Sequence, residues 1–164
     1  GRLEYQKGID QLIETVVRLK DNDRIHFHII GDGSLKGQLI SSLSDCNNFS
    51  YYEKIYNLAS FLASFDYLFM PSNFEGLALM PIEAGLAKLP CIVNDCSGLG
   101  ETMPQAWPLM VKYNNVDDFI EIFNNIEKFD VNSLKESIYN NAFEKFSIVT
   151  MQQEYLKIYK HGIQ

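Results

Sequence analysis

Apolar residues at positions 9, 12, 13, 16, 17 and 19 recur at helical spacing. Asp10 and Glu14 sit in the early turns of that segment and Arg18 and Lys20 at its end, which suits the helix dipole. Residues 24–30 alternate apolar and polar positions as a strand does, and Gly31-Asp32-Gly33 follows at once as a turn. Leu35, Leu39, Ile40 and Leu43 predict a second helix, residues 49–52 a short strand, and residues 55–64 a further helix. Residues 67–70 form an apolar run between Asp66 and Pro71, the pattern of a strand buried on both faces. Pro81 fits the first turn of a helix that continues to about residue 87. Strands are predicted at 91–93 and 109–111, then a helix over 116–129 with Asn115 as its N-cap, and helical pattern to the C-terminus.

Strands alternating with helices mean βαβ units, hence a parallel sheet covered on both faces. The expectation is one doubly wound α/β domain over residues 1–164, with residues 116–164 as its helical C-terminal part. Such sheets bind ligands beyond the carboxyl ends of their strands. The loops to search are therefore 2–8, 31–35, 52–55, 72–81 and 95–101.

Composition narrows the class of ligand. The 164 residues carry 14 Lys and Arg against 21 Asp and Glu, a net charge of -7. That argues against nucleic acid as a partner, because phosphate backbones are held by a broad positive field. A local basic site for a small phosphate ligand remains compatible with it. No apolar run reaches the ~20 residues of a membrane helix, and no signal peptide is expected. The three cysteines (Cys46, Cys91, Cys96) form no C-x-x-C pair and no disulfide framework, which makes a reducing compartment the default.

Candidate chemistry sits in the loops. Arg2 and Lys7 precede the first helix, where a guanidinium fork, an ammonium and a helix N-terminus together suit a diphosphate. The same residues also read as two surface cations near Glu4. Gly31 and Gly33 open like a dinucleotide fingerprint, but Gly37 falls one residue late for G-x-G-x-x-G, so a structural turn is the competing reading. Glu75 in its loop and Glu83 in the following helix could face one crevice and accept hydrogen bonds from sugar hydroxyls or do acid–base work. Gly76 leaves amides open beside Glu75. His26 and His28 share a strand face without a third ligand nearby, so they read as packed residues and no metal site is expected. Neither a G-x-S-x-G elbow nor a P-loop is present.

GRLEYQKG at 1–8, IIGDG at 29–33, LASFDYLFMPS at 62–72, EGLALMPIEA at 75–84, LPCIV at 89–93 and GLGE at 98–101 form an ordered set. Together they resemble the C-terminal, donor-binding half of a GT-B glycosyltransferase of the group 1 (family 4) type, a Rossmann-like lobe. The combination of G-R-x4-K-G with E-x7-E carries the resemblance. It implies that Arg2 and Lys7 hold the donor diphosphate. It implies that Glu75 contacts the transferred sugar and Glu83 the ribose. Amides of Gly76, Leu77, Ala78 and Leu79 would approach sugar and phosphates, with Gly31 and Gly33 beside the donor and the base near residues 52–55.

The implied activity is retaining transfer of a sugar from a UDP- or GDP-linked donor to a glycan or lipid-linked acceptor, without a metal or other cofactor. The implied setting is bacterial surface-polysaccharide synthesis in the cytoplasm, the full enzyme associating peripherally with the inner face of the membrane. Ala78 stands where glycine is common in that family, so the close backbone approach is expected to be altered, and Lys88 where glycine usually ends the helix, so the helix before Leu89 is expected to end differently. The acceptor-binding N-terminal lobe is absent from these residues, and so is the family's first strand, which would precede Gly1. Either the sheet closes over that gap or the natural chain continues upstream. The alternative function is a non-catalytic nucleotide-binding or regulatory module. A dehydrogenase is disfavoured by the broken glycine pattern.

Overall fold

The computed structural model describes residues 1–161. A 3-10 turn at Tyr5–Lys7 leads into α1 (Ile9–Arg18), followed by β1 (Phe27–Ile30), α2 (Lys36–Ser42), β2 (Phe49–Tyr52) and α3 (Leu58–Leu62). The second half comprises β3 (Leu68–Met70), α4 (Leu79–Leu86), β4 (Cys91–Asn94), β5 (Met110–Val111), α5 (Val116–Asn124), α6 (Val131–Phe146) and α7 (Ile148–His161). All strand pairings are parallel, as the βαβ alternation predicts. The expected helical C-terminal part is α5 to α7, and residues 162–164 lie outside the described residues.

The strands form two sheets, β2-β1 and β3-β4-β5, rather than one continuous sheet. The amides of Phe27 and Gly31 point to β2, where they donate to Asn48 O and Tyr52 O. The backbone groups of His28 and Ile30 therefore face away from β2, and Gly1 N donates to Ile30 O from that side at 2.6 Å. Between the free edges of β1 and β3 lies a largely apolar cavity of about 640 Å³, with Phe27, Ile29, Leu62, Tyr67, Phe69 and Phe123 in its lining. The gap stays open. For the same reason β3 is half-buried along its length, not buried on both faces as its apolar run suggests.

Aromatic packing beside the gap helps to hold the halves together. Phe27 of β1 lies 5.4 Å from Phe123 of α5, and Phe69 of β3 lies 5.3 Å from the same ring, both edge-to-face. Phe119, fully buried, meets Phe69 at 5.0 Å. Such geometry adds about 0.5–1.5 kcal/mol per pair beyond area burial. α1 packs its apolar stripe against α2 and α5, and α4 packs against α6.

Several boundaries differ from the sequence pattern. The strand starts at Phe27, not residue 24, because β2 begins at Phe49 opposite Phe27 and residues 24–26 have no ladder partner. α3 starts at Leu58, because Asn57 is left-handed at φ 58°. α5 ends at Asn124, where the Asn125 side-chain amide donates to Glu121 O and a 3-10 turn takes over. Asn115 caps α5 as expected, its side chain accepting from Asp117 N at 2.9 Å.

Lys88 corrects another expectation. The helix does end in the usual way: Lys88 itself takes φ 56°, and Leu89 N donates to Ala84 O at 2.8 Å. Among the described residues no helix is long and apolar enough to cross a membrane.

Candidate functional site

The first loop lies directly on the loop that follows β3. Gly8 makes this possible. It is left-handed at φ 65°, and a Cβ there would stand 1.7 Å from Pro71 O. The close approach brings Lys7 to Glu75, Nζ to Oε1 at 2.6 Å, with the Glu75 side chain only 7% exposed and that of Lys7 25%. Gln6 Nε2 reaches the other carboxylate oxygen at 3.4 Å, and Arg2 donates to Gln6 Oε1 at 3.3 Å. Glu4, a competitor for the cations in the sequence, is turned elsewhere. Its carboxylate accepts from Ser34 N and Ser34 Oγ, and these bonds hold its pKa below the ordinary carboxylate value.

The loop carrying Glu75 is clamped from below by the loop after β4. Glu75 N donates to Ser97 O at 3.1 Å and Ala78 N to Gly98 O at 2.9 Å. Gly98, at φ 74°, passes so close that a Cβ would be 1.7 Å from Gly76 O. Cys96 Sγ donates to Ser72 O at 3.3 Å beneath this loop. Burial, then the charges of Glu75 and Asp95, push its thiol pKa up.

Of the amides expected to face a ligand, that of Ala78 is already taken by Gly98 O. Gly76 borders open space, and Leu77 and Leu79 are exposed at the start of α4. Glu83 is exposed within α4 and stands outside the Arg2–Gln6–Glu75–Lys7 network.

Gly31 and Gly33 have a packing role. A Cβ on Gly31 would lie 1.7 Å from Gly1 O, and one on Gly33 2.5 Å from Leu3 O. Leu3 N donates to Asp32 O and Leu35 N to Leu3 O, so this turn is the seat of the first loop. Tyr51 donates to Gly31 O at 2.8 Å, and Glu53 in the 52–55 loop pairs with Lys36 at 2.7 Å. His26 bonds Ser50 Oγ at 2.8 Å and its ring lies 5.0 Å from that of His28, which in turn stacks on Tyr52. Among the described residues no group of three or more His, Cys, Asp and Glu could hold a metal ion.

Four residues of this region have no signal in the sequence. Gln6 links Arg2 to Glu75, while Asn73, Asn94 and Asn114 tie together the loops at the carboxyl ends of the strands.

A protein from the cps region of Klebsiella pneumoniae is 29% identical over 163 residues, covering 98% of this chain and 44% of that protein. An uncharacterized glycosyltransferase of Methanocaldococcus jannaschii is 32% identical over 137 residues, covering 77% of this chain and 38% of that protein. The solved structure of TarM from S. aureus, in complex with fondaparinux, alpha-GlcNAc-glycerol and UDP, superposes with a TM-score of 0.84 at 23% identity. It covers 96% of this chain and 34% of TarM. The chain thus spans less than half the length of these relatives. The fold is that of a Rossmann-like lobe of the GT-B glycosyltransferases. Residues 1–145 match the family described as glycosyl transferases group 1, and the chain belongs to that family.

Proposed function

We propose that this chain is the donor-binding lobe of a two-lobed, retaining glycosyltransferase. Its substrate is a UDP- or GDP-linked sugar, and its acceptor a glycan or lipid-linked glycan of surface-polysaccharide synthesis. The observation that carries this is the Lys7–Glu75 contact, which joins a cationic loop to a carboxylate loop where a parallel α/β sheet binds its ligands.

As the bond between sugar and diphosphate breaks, negative charge grows on the leaving phosphate. Lys7 and Arg2 supply fixed positive charge there, and the open amides of Gly76, Leu77 and Leu79 supply donors. Glu75 accepts from hydroxyls of the transferred sugar and Glu83 from those of the ribose. Charge stabilisation by these cations leaves no step that needs a metal or a cofactor. The missing lobe holds the acceptor and excludes water. A strand immediately before Gly1 fills the cleft between β1 and β3, supported by the free edges on both sides and by Gly1 N already bonding Ile30 O. The exposed apolar side chains of α7, among them Leu156 and Ile158, suit further packing in the full enzyme. Three free thiols suit a reducing compartment, and we place the enzyme in the cytoplasm, peripheral to the membrane.

The test is thermal unfolding of the chain with UDP, GDP and their sugar conjugates. A ligand at a hundred times its Kd adds about 2.7 kcal/mol of stability, a shift of several degrees. No shift with any of them would sink the donor-lobe assignment.

A further inference from the structure

We infer that Asn114 is a positioning residue, which through Asn73 fixes the Lys7 loop against the Glu75 loop; this rests on the donor-site assignment above. Asn114 Nδ2 donates to two oxygens at 2.9 Å, Pro71 O and Asn73 Oδ1. Asn73 Nδ2 donates to Tyr5 O at 2.7 Å and Asn73 N to Gln6 O at 2.8 Å. Asn94, buried at the end of β4, donates to Ser72 O and accepts from Asn114 N at 2.8 Å.

The direction of every bond in this chain is forced. Tyr5 O, Pro71 O and Ser72 O are carbonyls and can only accept, so each side-chain amide must present its NH2 to them. That leaves Asn73 Oδ1 facing the second proton of Asn114 Nδ2, and Asn94 Oδ1 facing the Asn114 amide. Asn114 thus joins the ends of β4 and β5 to the loop after β3 and, through Asn73, to the turn that carries Gln6 and Lys7.

The backbone is bent to make this possible. Tyr113 at φ 58° and Asn114 at φ 52° are consecutive left-handed residues. Tyr113 is 95% exposed, so its side chain does not hold the bend in place. Strain of this kind persists where surrounding bonds over-determine it, and it collects at functional sites. Here those bonds end on both loops of the Lys7–Glu75 contact. A catalytic contact displaced by about 1 Å can cost a hundredfold in rate.

Asn114→Gly keeps the left-handed backbone available and deletes the clamp. Asn114→Asp keeps the size but sets a carboxylate against Pro71 O and Asn73 Oδ1. In the full enzyme, release of UDP or GDP from UDP-glucose, UDP-N-acetylglucosamine and GDP-mannose reads the effect. Both variants are expected to lower kcat by about tenfold or more while the Kd of the free nucleotide moves less than about threefold. In a Lys7→Ala background neither should cost anything further, because the group being positioned is gone.

A merely structural role predicts the same loss in both backgrounds, and that result would overturn the inference. An impaired Lys7→Ala beside an unimpaired Asn114→Gly would overturn this inference alone. Unchanged turnover in Lys7→Ala would overturn the donor-site assignment and this inference with it. Independently of turnover, Asn114→Gly should speed amide hydrogen exchange at residues 4–8 and 72–76 and spare α6; unchanged exchange in those loops would also overturn it.

Discussion

Lys7 Nζ and Glu75 Oε1 meet at 2.6 Å across 68 positions of sequence. Neither side chain is free in solvent, so each is the other's main electrostatic partner. The pair also sets a competition: an anionic phosphate that binds Lys7 shares its ammonium with Glu75.

Lys7→Ala should therefore act twice. It leaves the nearly buried Glu75 carboxylate without its partner. That costs several kcal/mol in a fully buried pair and about 1–2 kcal/mol here, since Lys7 is partly exposed. In the full enzyme it should also lower kcat more than it raises KM, because the lost charge acts on a leaving group whose own charge grows in the transition state. Unchanged turnover with a good donor would remove Lys7 from the site.

Glu75→Gln should separate the two carboxylates of the E-x7-E element. With Glu75 neutral, Lys7 is released toward phosphate, so free UDP or GDP should bind as tightly as before or more tightly, while sugar transfer falls. Glu83→Ala should weaken the free nucleotide instead, since Glu83 is the carboxylate proposed to accept from the ribose. Titration calorimetry distinguishes the two, and an equal weakening by both substitutions would refute the division of roles.

Cys96 provides a reporter for the same charges. Its thiol pKa is raised by burial first, then by Glu75 and Asp95, while Lys7 lowers it. At any pH below that value the thiolate fraction is smaller than for a free cysteine, so iodoacetamide alkylation at pH 8 should be slow and should accelerate as pH rises. Glu75→Gln removes a charge that raises the pKa and should speed alkylation at fixed pH. Lys7→Ala should slow it. Peptide mass mapping follows Cys96 apart from the buried Cys46 and Cys91; slower alkylation in Glu75→Gln or faster alkylation in Lys7→Ala would contradict this arrangement of charges.

Lys88 allows a test of backbone strain. It is left-handed at φ 56°, while its ammonium pairs with Glu136 at 2.6 Å and sits 5.1 Å from the Tyr139 ring centroid. These exposed contacts are worth up to about 1 kcal/mol each. A non-glycine residue in this conformation costs about 1–2 kcal/mol. Lys88→Ala loses the contacts and keeps the strain; Lys88→Gly loses both. The glycine variant should therefore melt about 2–8 °C above the alanine variant. Equal melting temperatures would show that the turn is unstrained.

Local features of the chain and the parallel sense of its strand pairing were legible in its sequence, and contacts between particular loops were not. The limits of β2 and the Asn115 cap follow from patterns a few residues long. Glu75 and Lys7 each stand out by motif, yet their contact depends on Gly8 and Pro71 touching, which no periodicity encodes. Gln6 and the three asparagines act through side-chain amides whose partners are backbone carbonyls elsewhere, so they carry no spacing signal. The start of β1 was overextended because alternation describes a strand's own faces, whereas a ladder also needs a neighbour.

The open cleft gives the last prediction, on the proposed strand before Gly1. Since Phe27 N and Gly31 N are spent on β2, the amides of His28 and Ile30 face the cleft. On the other side Leu68 N donates to Pro90 O, so Phe69 N faces the cleft from β3. A parallel strand entering there would accept from these amides and cover Phe27, Ile29 and Phe69. In this chain alone, hydrogen exchange at His28, Ile30 and Phe69 should be fast relative to Ile92 in the buried β4. In a protein extended upstream of Gly1 the same three amides should become protected together, and the melting temperature should rise. Equal exchange at these positions in the two proteins would rule out a strand in the cleft.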